Sequence, residues 1–436
     1  MSERLLPVDS QDQVEIARNI ESRLWEANIA YGPDDDPRLW RISPRYFVIR
    51  QQSLDQIKAQ AAIMPRIVHA INSLDDDSWN PSTPYYFRFD ATVDDKGKVV
   101  PMEFQNEVPV EDATVDTNRG IYEDLVPLPA GCSNPFVGSV NGITRALKRS
   151  ENSHGGVGIV VPSTREYYLR DYRKTARMLQ QRGINAWVEE GSLDLNGDGL
   201  HGTNGRIHTV YRAFTRKDLL EEGRLIGNDT IKRAYETGQV DIFPQFSSAV
   251  EDKGVMAALF MPDFQDRLTD ALGGEEAYRF AQSQFPFTWL CNAGAPPTAG
   301  GKERGWGSYY MSEGAWKEGY VLKPRRSFGS AGMFTSRDLS LPKWREAVLE
   351  ALTNQHGNYV IQKQVEQRRF WAEVLEGGQI VRTDPNLGVR LSVTCIVEEG
   401  NSEVVEVDAC LSRGSRVHGT RESVLMPVVV KGNKHD

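Results

Sequence analysis

The sequence predicts a mixed α/β and α+β fold, an open layer of parallel strands followed by a unit of antiparallel ones. Three observations carry that reading. Gly156-Val-Gly-Ile-Val-Val-Pro162 is a short apolar run, followed by an amphipathic stretch over 165–182 and a second run, Gly183-Ile-Asn-Ala-Trp-Val. Strand, helix and strand in that order make a βαβ unit, which places helices on both faces of its sheet. Residues 85–107 alternate polar and apolar on either side of Asp94-Asp-Lys-Gly97, a strong hairpin signal. The last third alternates too, through 358–366, 390–398 and 404–411.

In chain order, the first thirty residues read as a surface helix. A second helix spans 53–74, with Ile57, Ala61, Met64, Ile67 and Ile71 at helical spacing and Ser53 as its N-cap. After the hairpin, one helix falls within 130–150, and the βαβ unit follows. Asp194-Leu-Asn-Gly-Asp-Gly199 imitates the start of a calcium loop, but its twelfth position is Gly205 rather than glutamate, so a tight hairpin is expected. A strand over 207–214 carries Arg212 near its exit. Helices over 216–222 and 229–237, a strand over 240–243 and a helix opening at Asp252-Lys253 come next. The Gly/Pro-rich segment 293–307 reads as a boundary or lid. A strand over 320–322, a helix over 343–354 and the late strands close the chain.

With 436 residues the chain can form two or three domains around large cores. A formal charge of −9 argues against non-specific nucleic-acid binding. No apolar run reaches the length of a membrane span, and the N-terminus lacks a signal-like apolar stretch, so a cytoplasmic location is expected. The four cysteines and seven histidines are scattered without metal-ligand or disulfide spacing.

Two stretches carry chemistry. Tyr320-Val-Leu-Lys323 delivers a lysine at a strand end, ahead of a turn with Gly329 and Gly332. A lysine suits a phosphate as a mobile point charge, and glycines let backbone N–H groups close on an anion. In the hairpin, alternation sets Arg88 and Asp90 on one face and Glu103 and Gln105 on one face. Pairing across the turn brings Asp90 near Glu103 and Gln105, a hard oxygen set of the kind magnesium prefers together with substrate phosphates. Read alone, each stretch also suits an ordinary exposed hairpin. Arg88 is equally suited to holding a phosphate or pairing with Asp90; Arg212 suits a substrate carboxylate, although a strand-end arginine is more often a surface ion pair.

The order of these pieces resembles the ATP-grasp superfamily in its circularly permuted form, in which the carboxylate hairpin precedes the lysine strands. The motifs are Arg88-Phe-Asp90, Glu103-Phe-Gln105-Asn106, Asp252-Lys253, Lys323 with its glycine turn, and Gln362-Lys363-Gln364-Val365. They are similar to the synthetase domain of glutathionylspermidine synthetase and related carboxylate–amine ligases, over about 84–426. The resemblance implies an ATP-grasp nucleotide domain over 306–436 and a preceding, pre-ATP-grasp-like α/β substrate domain over 131–305. Residues 1–130 would supply helices and the metal-binding hairpin that completes the site.

It further implies ATP and Mg2+ as cofactors, small carboxylate and amine substrates, and a homodimer. Asp90, Glu103 and Gln105 (or Asn106) would hold magnesium. Lys253 and Lys323 would meet ATP phosphates, with the turn of Ser327, Gly329, Ser330 and Gly332 closing over them. Gln362, Lys363, Gln364 and Val365 would line the adenine, and Arg390 or Arg413 would face the transferred phosphate. The implied reaction is amide formation through an acyl phosphate with release of ADP and phosphate, γ-glutamyl amides included. Ligation to a polyamine, phosphoryl transfer to one small molecule, and a non-catalytic nucleotide-binding scaffold are the other readings of the same residues. Glutamine in place of the family asparagine at 105 departs from the pattern.

Overall fold

The structure, a computed structural model, describes residues 10–30, 37–72, 86–105, 111–149, 155–221, 225–247, 252–291, 309–326, 332–353, 358–398, 400–414 and 422–432. Ser327, Gly329, Ser330, Asn106 and the 293–307 segment lie outside them. Helix α1 (Ser10–Glu26) and strand β1 (Phe47–Arg50) precede α2 (Gln51–Asn72). β1 runs directly into α2, so Ser53 sits inside the first turn and does not cap it. Leu54, Ile57, Ala61, Met64 and Val68 form the buried stripe of α2.

The hairpin of β2 (Tyr86–Val93) and β3 (Val99–Gln105) follows, then α3 (Asp112–Leu125), β4 (Cys132–Ser133) and α4 (Ser139–Arg149). The α/β layer contains β5 (Gly156–Val160), α5 (Leu169–Gln181), β6 (Ala186–Glu189), β7 (Asp194–Asn196), β8 (Gly199–Gly202), β9 (Gly205–Arg212) and β10 (Asp241–Phe243). The helix expected from 165 instead begins as a 3-10 turn, Ser163–Tyr168, because Arg165 departs from helical backbone angles. A small antiparallel unit comprises β11 (Thr288–Leu290), β12 (Tyr320–Pro324), β13 (Phe334–Thr335) and β14 (Tyr359–Lys363). The chain ends through the hairpin of β15 (Glu373–Glu376) and β16 (Gln379–Arg382), then β17 (Leu387–Glu398), β18 (Asn401–Arg413) and β19 (Val424–Lys431).

Both ends of the chain build one seven-stranded sheet, in the order β1-β19-β18-β17-β2-β3, with β4 beside β19. Strand alternation gives this sheet two unlike faces. Phe87, Phe89, Leu391, Val393, Val407 and Ala409 join the core beneath α2. The register puts Arg88, Asp90, Ser392, Thr394, Glu406 and Asp408 side by side on the other face. The six-stranded layer, β6-β5-β9-β8-β7 with β10 beside β9, is parallel through β6, β5, β9 and β10, as the βαβ pattern requires. The four-stranded sheet runs β11-β14-β12-β13 and packs on the Leu341–Thr353 helix through the fully buried Trp344. Among the described residues, no helix is long and apolar enough to cross a membrane.

Candidate active site

The antiparallel hairpin and the four-stranded sheet meet at a lysine. Lys323 ends β12 only 7 % exposed, and its Nζ donates to Gln362 Oε1 at 2.8 Å and to the carbonyl of Met102, on β3, at 3.3 Å. Gln362 is aimed by its own Nε2, which donates to Thr288 Oγ1 at 3.0 Å. Burial pushes Lys323 down to about 8; Glu103 and Asp90 oppose this, and the neighbouring Lys253 adds to it.

Lys253 stands at the N-cap of the short Gly254–Ala258 helix, its Nζ 3.6 Å from Glu103 Oε1. Asp252 fixes that placement. Its carboxylate accepts from Gly254 N at 2.7 Å and from Arg325 Nε at 2.8 Å, and it also pairs with Arg325 Nη2. Lys253 N donates in turn to Arg325 O at 3.1 Å. The two lysine-bearing segments are therefore clamped together by one buried acid.

The hairpin supplies the opposite charges. Asp90 faces Glu103 across the β2–β3 ladder, and Arg88 faces Gln105. Asp90 lies 3.4 Å from Arg88 Nε and 3.8 Å from Arg390 Nε, on β17. Asp90 Oδ1 is buried without a hydrogen-bond partner among the described residues. Around the two arginines the structure adds groups that pattern reading missed. Burial would lower the Arg390 guanidinium, but the charge of Asp90, with smaller ones from Glu111 and Asp408, holds it above its usual range. Burial pushes Asp408 up to about 7, with Arg390 opposing. Tyr168, from the α/β layer, is raised by burial and feels the charges of Glu111, Arg88 and Arg390. Glu111 has φ of 68°, a left-handed conformation unusual for a glutamate and of the kind that collects at functional sites. Asp408 had a signal, a carboxylate at an inward position of an apolar strand; a positive φ at Glu111 has none.

The structure thus brings together Arg88, Asp90, Glu103, Lys253, Lys323 and Arg390. Other expected residues lie elsewhere or serve differently. The Gln362 side chain is buried and committed to Lys323 and Thr288. Lys363 pairs with Glu318 at 3.1 Å and lies over the Tyr320 ring. Gln364 and the half-buried Val365 follow the end of β14, where Gln364 Oε1 is buried with no hydrogen-bond partner among the described residues. Gly332 has φ of 69°, and an added Cβ would lie 2.9 Å from Pro324, beside the lysine strand.

Arg413 is exposed at the end of β18, opposite Leu387, and alternation sets it on the face away from Asp408. Arg212 is fully buried, with its guanidinium donating to the carbonyls of Pro244, Phe214 and Gln245 and lying over Phe246. It holds the chain after β10 in place and is not presented to a substrate. A strand-end arginine buried among backbone carbonyls can be told from a surface one only once its neighbours are known.

The donor set fits a magnesium-bound polyphosphate. Asp90 and Glu103 are adjacent carboxylates, and among the described residues no group of three His, Cys, Asp or Glu could hold a metal alone. Magnesium commonly binds to one or two carboxylates and shares its other positions with phosphates and water. Arg88, Arg390, Lys253 and Lys323 gather about Asp90 and Glu103, a set of cations that suits a polyanionic ligand.

No family model matches the chain, and no curated protein does. A solved structure of a glutathione synthetase-like effector, GSS30 from Globodera pallida, aligns over 97 % of this chain and 98 % of its own, with TM-score 0.57 and 11 % identity. The fold is shared. It is a mixed α/β architecture of several sheets. A protein from Methylobacillus flagellatus provisionally named gamma-glutamylcysteine synthetase aligns over 86 % of this chain and 87 % of its own, with TM-score 0.42 and 11 % identity. D-alanyl-alanine synthetase A from Vibrio cholerae aligns over 56 % and 68 %, with TM-score 0.27 and 12 % identity.

Proposed function

We propose that the chain is an ATP-dependent carboxylate–amine ligase. The observation that carries this is the meeting of Lys253 and Lys323 on Glu103, with Asp90 opposite and Arg390 behind it. Lys253 and Lys323 would meet the β- and γ-phosphates, and Asp90 with Glu103 would hold magnesium, with Gln105 as a further ligand. Magnesium supplies charge neutralisation on the phosphoryl oxygens. Gln364 and Val365 would line the nucleotide base. In the domain assignment that goes with this reading, the hairpin precedes the lysine strands in the permuted order, and 131–305 forms the substrate side.

An oxygen of the acid substrate attacks the γ-phosphorus, and the bond to ADP breaks. Arg88 and Arg390 face the transferred phosphoryl group, where their fixed N–H donors favour the charge that develops. The amine then attacks the acyl carbon, phosphate leaves and the nitrogen loses a proton. The mixture of Arg88 and Arg390 with Glu111, Asp408 and Tyr168 suits an acid that also bears an amino group, as a γ-glutamyl donor does. A cytoplasmic homodimer is part of the same proposal.

A pool of amino acids and polyamines incubated with MgATP tests the reading, with ADP and phosphate followed and condensed products found by mass. Release that requires two substrates and is lost in Glu103→Ala is expected. Phosphate transferred to one substrate without condensation would replace the ligase by a kinase, and no turnover with any pair would overturn catalysis.

A further inference from the structure

A second opening lies at the end of the seven-stranded sheet, and no residue of the lysine cluster lines it. It is a groove of about 660 Å³ under the start of α2, bounded by β1, the β2–β3 turn and the segment of Arg368 and Phe370. That volume lies in the usual range for small-molecule sites. Its lining includes five cations, Arg50, Lys96, Lys98, Arg368 and Lys431, and no Asp or Glu, in a chain whose formal charge is −9.

The charges are arranged against their own repulsion. Arg50 and Lys431 are direct partners across the parallel β1–β19 pair, a placement that disfavours like charges. Arg50, Lys96 and Arg368 enter no ion pair among the described residues. Helix α2, 22 residues long, opens onto the groove through Gln52 and Ser53 and has no acidic residue in its first turn. Its free N–H groups and dipole therefore add to the positive field. Phe280 and Phe370 supply apolar wall, and the Arg368 guanidinium lies 5.9 Å from the Phe370 ring.

We propose that this groove binds a small polyanion, carrying two or more phosphate or carboxylate groups, at a site separate from the lysine cluster. Val93 lines the groove and lies three residues beyond Asp90, so about 10 Å of strand separates the two. The proposal does not depend on the ligase reading.

Calorimetry on the full chain tests it, with inorganic tripolyphosphate and, separately, citrate as probes, without magnesium. Titration is done in Lys323→Ala protein, so that the lysine cluster contributes little. Binding that weakens at least tenfold on adding Lys96→Glu and Arg368→Glu is expected, with Arg50→Gln, at an exposed position, giving a smaller loss in the same direction. Melting curves show whether each variant is folded. Tighter binding of tripolyphosphate assigns the site to phosphate compounds, and tighter binding of citrate to polycarboxylates. Absence of binding by either probe, or binding that the folded groove variants leave unchanged, would overturn the proposal.

Discussion

Two buried charge clusters share the polar side of the seven-stranded sheet, and they are built on opposite principles. Around Arg119 every group is answered. Its Nε donates to Glu406 Oε2 at 2.7 Å, Nη2 completes the fork to Glu406 Oε1, and Nη1 reaches Asn134 Oδ1 at 2.8 Å. The carbonyls of Val407 and Val428 take further bonds, and Val407 N donates back to Glu406. Around Lys323 a buried lysine is pushed toward neutrality, and Asp90 Oδ1 has no hydrogen-bond partner among the described residues. A satisfied pair joins α3 to the sheet. An unsatisfied cluster is tolerated where a ligand completes it.

Variants can break this contrast, beginning with the largest effect. Arg119→Met leaves Glu406 buried and unpaired, and a loss of about 3–5 kcal/mol in urea unfolding is expected. Nucleotide affinity of the folded fraction should not change. Arg212→Met should act alike through the carbonyls it abandons, lowering stability by about 2–4 kcal/mol without a selective effect on substrate KM. Lys323→Ala should do the reverse, reducing turnover by about a hundredfold or more while the melting temperature stays level or rises. A large loss of stability in Lys323→Ala, or none in Arg119→Met, would undo the distinction.

The pH dependence sharpens it. Lys323 titrates near 8 in the folded chain against 10.5 ordinarily. Between those values the unfolded chain holds more protons, so this group's contribution to stability is unfavourable below about 8 and is relieved as pH rises toward 10.5. Nucleotide binding should run the other way, with affinity flat below about pH 8 and falling up to about tenfold per unit above it, because only the ammonium attracts phosphate. Lys323→Ala should abolish that alkaline limb. The smallest effect is expected of Arg413→Ala, within about 0.5 kcal/mol in stability and about twofold in turnover, since Arg413 is exposed on the other face.

The sheet and its hairpin were legible because alternation is a local signal: Phe87 and Phe89 alternate with Arg88 and Asp90, and the turn between the strands names itself. Lys323 was legible for the same reason, as a charge at the end of an apolar strand. What escaped reading depends on partners distant in sequence. Nothing in the sequence showed that the Gln362 side chain would be held between Thr288 and Lys323. Asp252 looked like a helix start, yet its partner is Arg325, 73 residues on. Arg212 looked exposed because its burial is created by Phe246 and a loop beyond β10. The short strand β1 is held by parallel pairing with β19, from the far end of the chain, which no local pattern announces.

Calorimetric titration of MgATP into the wild-type chain and Lys323→Ala, with Arg413→Ala as control, is the most direct measurement of the central claim. The account predicts binding by wild type and Arg413→Ala and at least tenfold weaker binding by Lys323→Ala, all three remaining folded. Equal affinity in wild type and Lys323→Ala, or no MgATP binding by wild type, would contradict it.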